Sequence, residues 1–162
     1  MYILISNMYA YTILTAASIV TSAVATFTLD IPQTVGANLD TEHMSPCGGF
    51  NVTEDSAFMD WPTGGHDIRV VGVNDSSSVF SLKVALLSDP SNFVTLYPDI
   101  TTASKGDICW SRIYGKADTE WMGQRAIFQV SQYAGNGLYN FQCAAVRFIE
   151  GDQAPSECQH SG

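Results

Sequence analysis

The chain has 162 residues, and its 16 acidic and 7 basic side chains give a formal charge of −9 at pH 7. An acidic chain without a cluster of Lys and Arg lacks the electrostatic footprint of proteins that bind nucleic acid or anionic membranes. We therefore expect no nucleic acid and no anionic membrane surface among its partners.

The first 25 residues form an apolar segment without a charged side chain. The run 11–20 is too short to cross a bilayer, and the segment ends in Ala23-Val24-Ala25, a small-x-small pattern typical of a signal-peptidase cut. A buried N-terminal helix is the alternative, but small and β-branched residues recur and nothing caps it. The sequence therefore predicts a signal peptide over 1–25, secretion, and Thr26 as the first mature residue.

Strand-like segments follow, in which apolar residues alternate with polar ones or run continuously between turns. They lie at 26–30, 67–73, 79–87, 125–132 and 138–148, and a shorter segment at 107–110 is either a strand or a tethered loop. We expect a polar loop at 36–46, a turn at 61–65 and a loop at 88–106, because Pro90 and Pro98 exclude a long helix. No stretch of ten residues shows helical periodicity, so the pattern predicts an all-β antiparallel sandwich.

Four local motifs carry a family resemblance: TFTLD at 26–30, PCGGF at 46–50, WPTGG at 61–65, and LYNFQCAAVRF at 138–148. Together they resemble the fungal copper-acquisition-factor family, which is similar in fold to lytic polysaccharide monooxygenases but is not known for polysaccharide cleavage. The resemblance covers essentially the whole mature chain. It implies an immunoglobulin/fibronectin-like sandwich over 26–150, followed by a polar tail at 151–162.

The resemblance also implies a position for a copper site at the mature N-terminus. In the family, a first-residue histidine binds Cu(II) through its amine and its ring, a hairpin supplies a second histidine, and an aspartate often completes the set. Nitrogen ligands in a tetragonal plane suit Cu(II). Here the corresponding positions are Thr26, Asn74, and either Asn136 or Asn140. We expect a degenerate site that holds no copper cofactor, and hence no oxidative enzyme.

The alternative is a copper-binding or copper-uptake protein with a relocated site. The three histidines are His43, His66 and His160, and we expect each to be a solvated loop or tail residue. A relocated site would combine His43 or His66 with Asp75 or the Thr26 amine.

An acidic-aromatic segment, Asp118, Glu120 and Trp121, offers a second chemical interpretation as a glycosidase acid beside a sugar platform. Two carboxylates must face each other across a cleft for that chemistry, and proximity in sequence does not place them so. We expect an exposed loop with one anchored tryptophan. No nucleophile motif such as GxSxG occurs in the sequence.

Four cysteines follow the cut, and an even number in a secreted chain predicts two disulfides. The chain has no CxxC pair and no cysteine with a histidine at ligand spacing, which disfavours a zinc site. Of three possible connectivities we expect Cys47 with Cys143, tying an early loop to the last core strand, and Cys109 with Cys158, holding the tail.

Two sequons, at Asn51 and Asn74, predict N-glycosylation of a secreted chain. A glycan on Asn74 would occupy the place of the second copper ligand. The sequence shows no serine-rich stalk and no apolar tail for a lipid anchor. We therefore expect a monomeric, non-catalytic extracellular or cell-wall protein, with partners among cell-wall or cell-surface components.

Overall fold

The computed structural model describes residues 26–75, 77–133 and 137–158. The predicted signal peptide, the predicted ligand position Asn136 and the tail histidine His160 lie outside these ranges.

Two β-sheets form a sandwich. Its eight strands in the described ranges are β1 Thr28–Ile31, β2 Met59–Pro62, β3 His66–Val73, β4 Ser78–Leu86, β5 Val94–Thr102, β6 Gly106–Ile113, β7 Arg125–Tyr133 and β8 Tyr139–Ile149. One sheet has the order β1-β3-β6 and the other the order β2-β8-β7-β4-β5. The neighbouring strands pair antiparallel except for β2 and β8, which run parallel. The predicted all-β sandwich is therefore confirmed, and no helix in the described part is long and apolar enough to cross a membrane.

The core lies between the two sheets and follows from the two-residue period of the strands. On β4, for example, Phe80, Leu82 and Val84 are fully buried while the residues between them are partly exposed. Trp61 is the largest side chain in this core; it is 0% exposed, and its Nε1 donates a hydrogen bond to the Ile113 carbonyl at 3.0 Å. Its ring packs 5.0 Å from that of Phe128, between the centroids. Satisfying the one polar atom of Trp61 lets the whole ring be buried.

Each edge of the larger sheet is formed by a strand that was not predicted. Residues 61–65 were expected as a turn that leads to the next strand, and Thr63 and Gly64 do form a turn before β3, but Trp61 and Pro62 end strand β2, which pairs with β8. The expected loop 88–106 contains β5, the strand at the opposite edge of the sheet. Pro98 is tolerated within β5 because one side of an edge strand has no partner, so a missing N–H costs no ladder bond there.

A second apolar cluster lies on the outer face of the larger sheet, beneath the loops before β2. Its buried members are Cys47, Val52, Ile127, Cys143 and Ala145. The predicted disulfide between Cys47 and Cys143 is confirmed, with Cα atoms 5.0 Å apart. This disulfide fixes the loops before β2 over one half of the outer face, which we call the loop cover. The other half of the outer face lies beyond these loops.

The tail is held by the other predicted disulfide, Cys109–Cys158, whose Cα atoms are 5.7 Å apart. Buried Asp67 adds a clamp: its Oδ2 accepts hydrogen bonds from the Ser156 hydroxyl at 2.7 Å and from the Glu157 and Cys158 amides at 2.9 Å. Its Oδ1 accepts the Arg112 amide at 3.2 Å. Burial alone would raise the pKa of Asp67, but these hydrogen bonds outweigh it and lower the pKa below its usual value.

Candidate functional site

The start of the described chain lies against the beginning of the loop that connects β3 of one sheet with β4 of the other. Because β1 pairs antiparallel with β3, with Thr28 opposite Val71, the residue two positions before β1 comes to the far end of β3. There the Thr26 amide donates a hydrogen bond to Asn74 Oδ1 at 2.9 Å. The two positions that the resemblance aligned with copper ligands are thus direct neighbours.

Strand β1 is held in this place by Gln142 on β8. The Gln142 Oε1 accepts the Leu29 amide at 2.9 Å, and its Nε2 donates to the Phe27 carbonyl at 2.5 Å. A buried amide that bridges two backbone groups fixes both the register and the depth of the strand. The position of Thr26 therefore depends on a side chain of the opposite sheet.

A cavity of about 390 Å³ opens beside Thr26. Its wall includes Thr28, Gly72 and Gln142, and one acidic residue, Glu42, from the loop 36–46. This cavity adjoins the backbone nitrogen of Thr26, which would become a free amine after the predicted cut.

Glu42 is the functional residue that sequence reasoning missed. Its loop was expected to be solvated, yet Glu42 is only 3% exposed, and its buried Oε1 has no hydrogen-bond partner in the described ranges. Its backbone is fixed instead, since its amide donates to Asn38 O at 2.9 Å and its carbonyl accepts the Phe141 amide at 2.7 Å. Loss of solvent raises the pKa of Glu42 from 4.5 to about 7. The cavity thus has an acidic wall whose charge changes near neutral pH.

The family of this chain is identified by comparing its sequence with those of known families. The sequence model described as copper acquisition factor BIM1-like matches residues 24–162. The chain belongs to the BIM1-like copper acquisition factor family. It is also similar to the copper acquisition factor BIM1 of Cryptococcus neoformans var. grubii serotype A (strain H99), with 30% identity over 165 residues that cover 92% of this chain and 72% of the relative.

Of the two histidines in the described ranges, His66 lies far from this family position. His66 was expected to be solvated, but this was wrong: it is 6% exposed at the start of β3, with its Nδ1 at 3.0 Å from the Asp67 carbonyl. Asn74 follows the other end of β3, eight residues away, which at about 3.3 Å per residue is roughly 26 Å. His66 therefore cannot share an ion with Thr26. His43 is exposed as expected, in the loop that carries Glu42.

Two further candidate ligand positions lie in the described ranges. Asn140 is buried on β8, and Asp75 Oδ1 accepts the Ser77 amide at 2.9 Å within the loop between β3 and β4. Asp67, Cys109 and Cys158 place possible ligand atoms within 4.8 Å of one another, but both sulfur atoms are joined in the disulfide. A metal would have to compete with that bond and with the hydrogen bonds to Asp67.

The acidic-aromatic segment at 118–121 forms the expected exposed loop with one anchored tryptophan. Trp121 is buried with its ring at 6.0 Å from Phe148, and its Nε1 donates to Glu120 Oε1 at 3.1 Å. Asp118 and Glu120 are exposed. The tryptophan is thus part of the core and offers no platform to a sugar.

Proposed function

We propose that this chain is a secreted, non-catalytic member of the copper acquisition factor family, in which the N-terminal position no longer binds copper. The contact between Thr26 and Asn74 carries the proposal. Once the signal peptide is removed, that position would offer one amine nitrogen and one amide oxygen at 2.9 Å from each other. This donor set does not fit Cu(II), which prefers several nitrogen ligands in a tetragonal plane.

Oxidative chemistry would need a bound and accessible metal, so the same argument opposes an enzymatic role. The side chains of both sequons, at Asn51 and Asn74, are exposed. Glycosylation would use the amide nitrogen of Asn74 and leave its Oδ1 able to accept the Thr26 hydrogen bond. A role outside the cell, soluble or at the cell wall, is consistent with such glycans.

Calorimetric titration of Cu(II) into the protein that begins at Thr26 tests the proposal. We expect no stoichiometric binding tighter than micromolar, and a 1:1 site of higher affinity would refute it. The double variant Thr26→His/Asn74→His is the matched control, because it places two imidazoles where the structure brings the two positions together. Copper binding gained by this variant alone would show that ligand identity, and not the scaffold, accounts for the loss.

A copper-uptake protein with a relocated site is the second candidate, and the cavity beside Thr26 favours one version of it. Glu42 lines that cavity together with Thr26, and His43 follows Glu42 in the chain. If the titration shows a tight site, Glu42→Gln and His43→Ala should each weaken it. Unchanged binding in both variants would exclude this version.

A further inference from the structure

The open half of the outer face of the larger sheet carries a mixed polar and aromatic surface. Strand register places Lys83 opposite Gln129, Ser131 opposite Phe141, and Tyr133 opposite Tyr139. Directly opposed residues share a face, and the residues between them, such as Val130, are buried in the core. These side chains therefore project away from the core, beyond the edge of the loop cover.

Two adjoining depressions on this face, of about 370 and 500 Å³, share Lys83, Gln129 and Phe141 in their walls. They form one trough that crosses β8, β7, β4 and β5. Four strands at about 4.8 Å spacing give the trough a length of roughly 14 Å. It is on the face opposite to the core and distinct from the cavity beside Thr26, with which it shares no lining residue.

Aromatic rings line one end of the trough. Tyr139 and Phe141 have their ring planes within 20° of parallel at a centroid distance of 6.1 Å, and Tyr133 is 4.9 Å from Tyr139. Tyr139 is 48% exposed, so an apolar ring face with a polar hydroxyl is open to solvent. Flat exposed rings of this kind match ligands that have both an apolar face and a polar rim.

Polar groups line the other end, and their charges balance. Lys83 and Asp99 are the two charged residues in the wall of the trough. Ser81 donates to Asp99, and Gln129, which is 5% exposed, donates through its Nε2 to the Pro46 carbonyl at 2.9 Å. In a chain with a formal charge of −9, a trough with one cation and one anion favours a neutral ligand.

We propose that this trough binds a neutral oligosaccharide. A pyranose ring has apolar C–H faces that stack on the exposed Tyr139 ring, and hydroxyls that donate to Asp99 and accept from Lys83. An extended peptide fits less well, because the backbone groups of β7 and β4 are already paired on both sides and offer no strand addition. Among the described residues, Asp99 is the one carboxylate in the trough wall, and glycoside hydrolysis ordinarily needs two, so the site binds and does not cleave.

Titration of the mature, disulfide-bonded protein with hexasaccharides of chitin, β-1,3-glucan and mannan, followed by NMR, tests the proposal. We expect one of them to shift the resonances of trough residues. Tyr139→Ala should weaken that binding about tenfold, which corresponds to 1.4 kcal/mol. Tyr139→Phe should retain most of it, because the ring face is kept.

Tyr114→Ala is the matched control, since Tyr114 is 55% exposed and lies outside the trough. The proposal fails if no hexasaccharide shifts trough resonances at millimolar concentration, or if Tyr139→Ala and Tyr114→Ala have the same effect. Sedimentation of the same proteins distinguishes the other occupant: self-association that Tyr139→Ala abolishes, without saccharide binding, would make the trough a contact between copies and overturn the proposal.

Discussion

Replacing Glu42 with glutamine should change how the stability of the protein depends on pH. In the unfolded chain this carboxyl loses its proton above its ordinary pKa of 4.5, whereas the folded protein keeps the proton up to about pH 7. Between these two values the unfolded state therefore gains stability relative to the folded state as pH rises. A shift of about 2.5 pKa units corresponds to roughly 3 kcal/mol lost between pH 4 and pH 8. Glutamine does not ionise, so the variant should lack this loss.

The assay is urea unfolding at several pH values, with the disulfides intact and the fluorescence of the three tryptophans as the signal. The free-energy difference between wild type and Glu42→Gln should grow by roughly 3 kcal/mol in favour of the variant from pH 4 to pH 8. Any constant cost of the amide in the cavity cancels in that comparison. Glu150→Gln, at an exposed carboxyl, serves as the control and should show no such growth. Parallel wild-type and Glu42→Gln curves would mean that the Glu42 carboxyl is not desolvated.

Two further predictions concern the attachments of the loops and the tail. Asp67→Asn should cost roughly 2–3 kcal/mol in urea unfolding, because an amide nitrogen or a neutral oxygen then faces three backbone donors and one hydroxyl. The contribution of the Asp67 carboxylate to the free energy of unfolding is present above pH 4 and is lost as pH falls through its lowered pKa. The stability of Asp67→Asn should therefore fall less steeply with decreasing pH than that of the wild type. An equally steep fall in both proteins would contradict the hydrogen-bonding role of Asp67. Removing the Cys47–Cys143 bridge by a double serine substitution should cost about 5 kcal/mol by the chain-entropy estimate for a sequence separation of 96, and a loss below 1 kcal/mol would contradict it.

The sequence predicted best the strands β4, β7 and β8. In β4 one face is buried, and the alternation of residue types is itself the signal for which side chains enter the core. Strands β7 and β8 are buried on both faces over much of their length, and there apolar residues between turns were the signal. Strand β5 was missed because prolines oppose a helix and an interior strand equally, and only the tertiary position at a sheet edge makes Pro98 acceptable. Strand β2 was missed because its four residues run into the glycines of a turn.

The candidate site was predictable in its chain positions and not in its electrostatics. Thr26 and Asn74 were found from the family resemblance, and β-strand pairing then brought them together. Nothing in the local sequence distinguishes the buried Glu42 from its exposed neighbours Asp40 and His43, because its burial comes from contact with β8. The burial of His66 was missed for the same reason, since the position of a polar residue at a strand terminus depends on packing against elements that are distant in sequence.

Gly48, in the PCGGF segment, lies between Glu42, which lines the cavity beside Thr26, and Phe141, which lines the trough, and adding a single methyl group to it tests whether the two sites are coupled. A Cβ at Gly48 would lie 2.5 Å from the Phe141 carbonyl oxygen, and the residue has φ of +64°, so both the close approach and the backbone conformation require glycine. Gly123 is the matched control, with φ of +74° and open space around a Cβ. Both alanine variants carry the backbone penalty of about 1 kcal/mol, but only Gly48→Ala must also push the loop away from β8. Gly48→Ala should therefore lower the free energy of unfolding by roughly 2 kcal/mol more than Gly123→Ala. Because the same loop carries Glu42, Gly48→Ala should also expose this carboxyl to solvent and lower its pKa, which NMR titration measures. Equal effects of the two variants would show that the loop does not press on β8 and that the cavity and the trough are built independently.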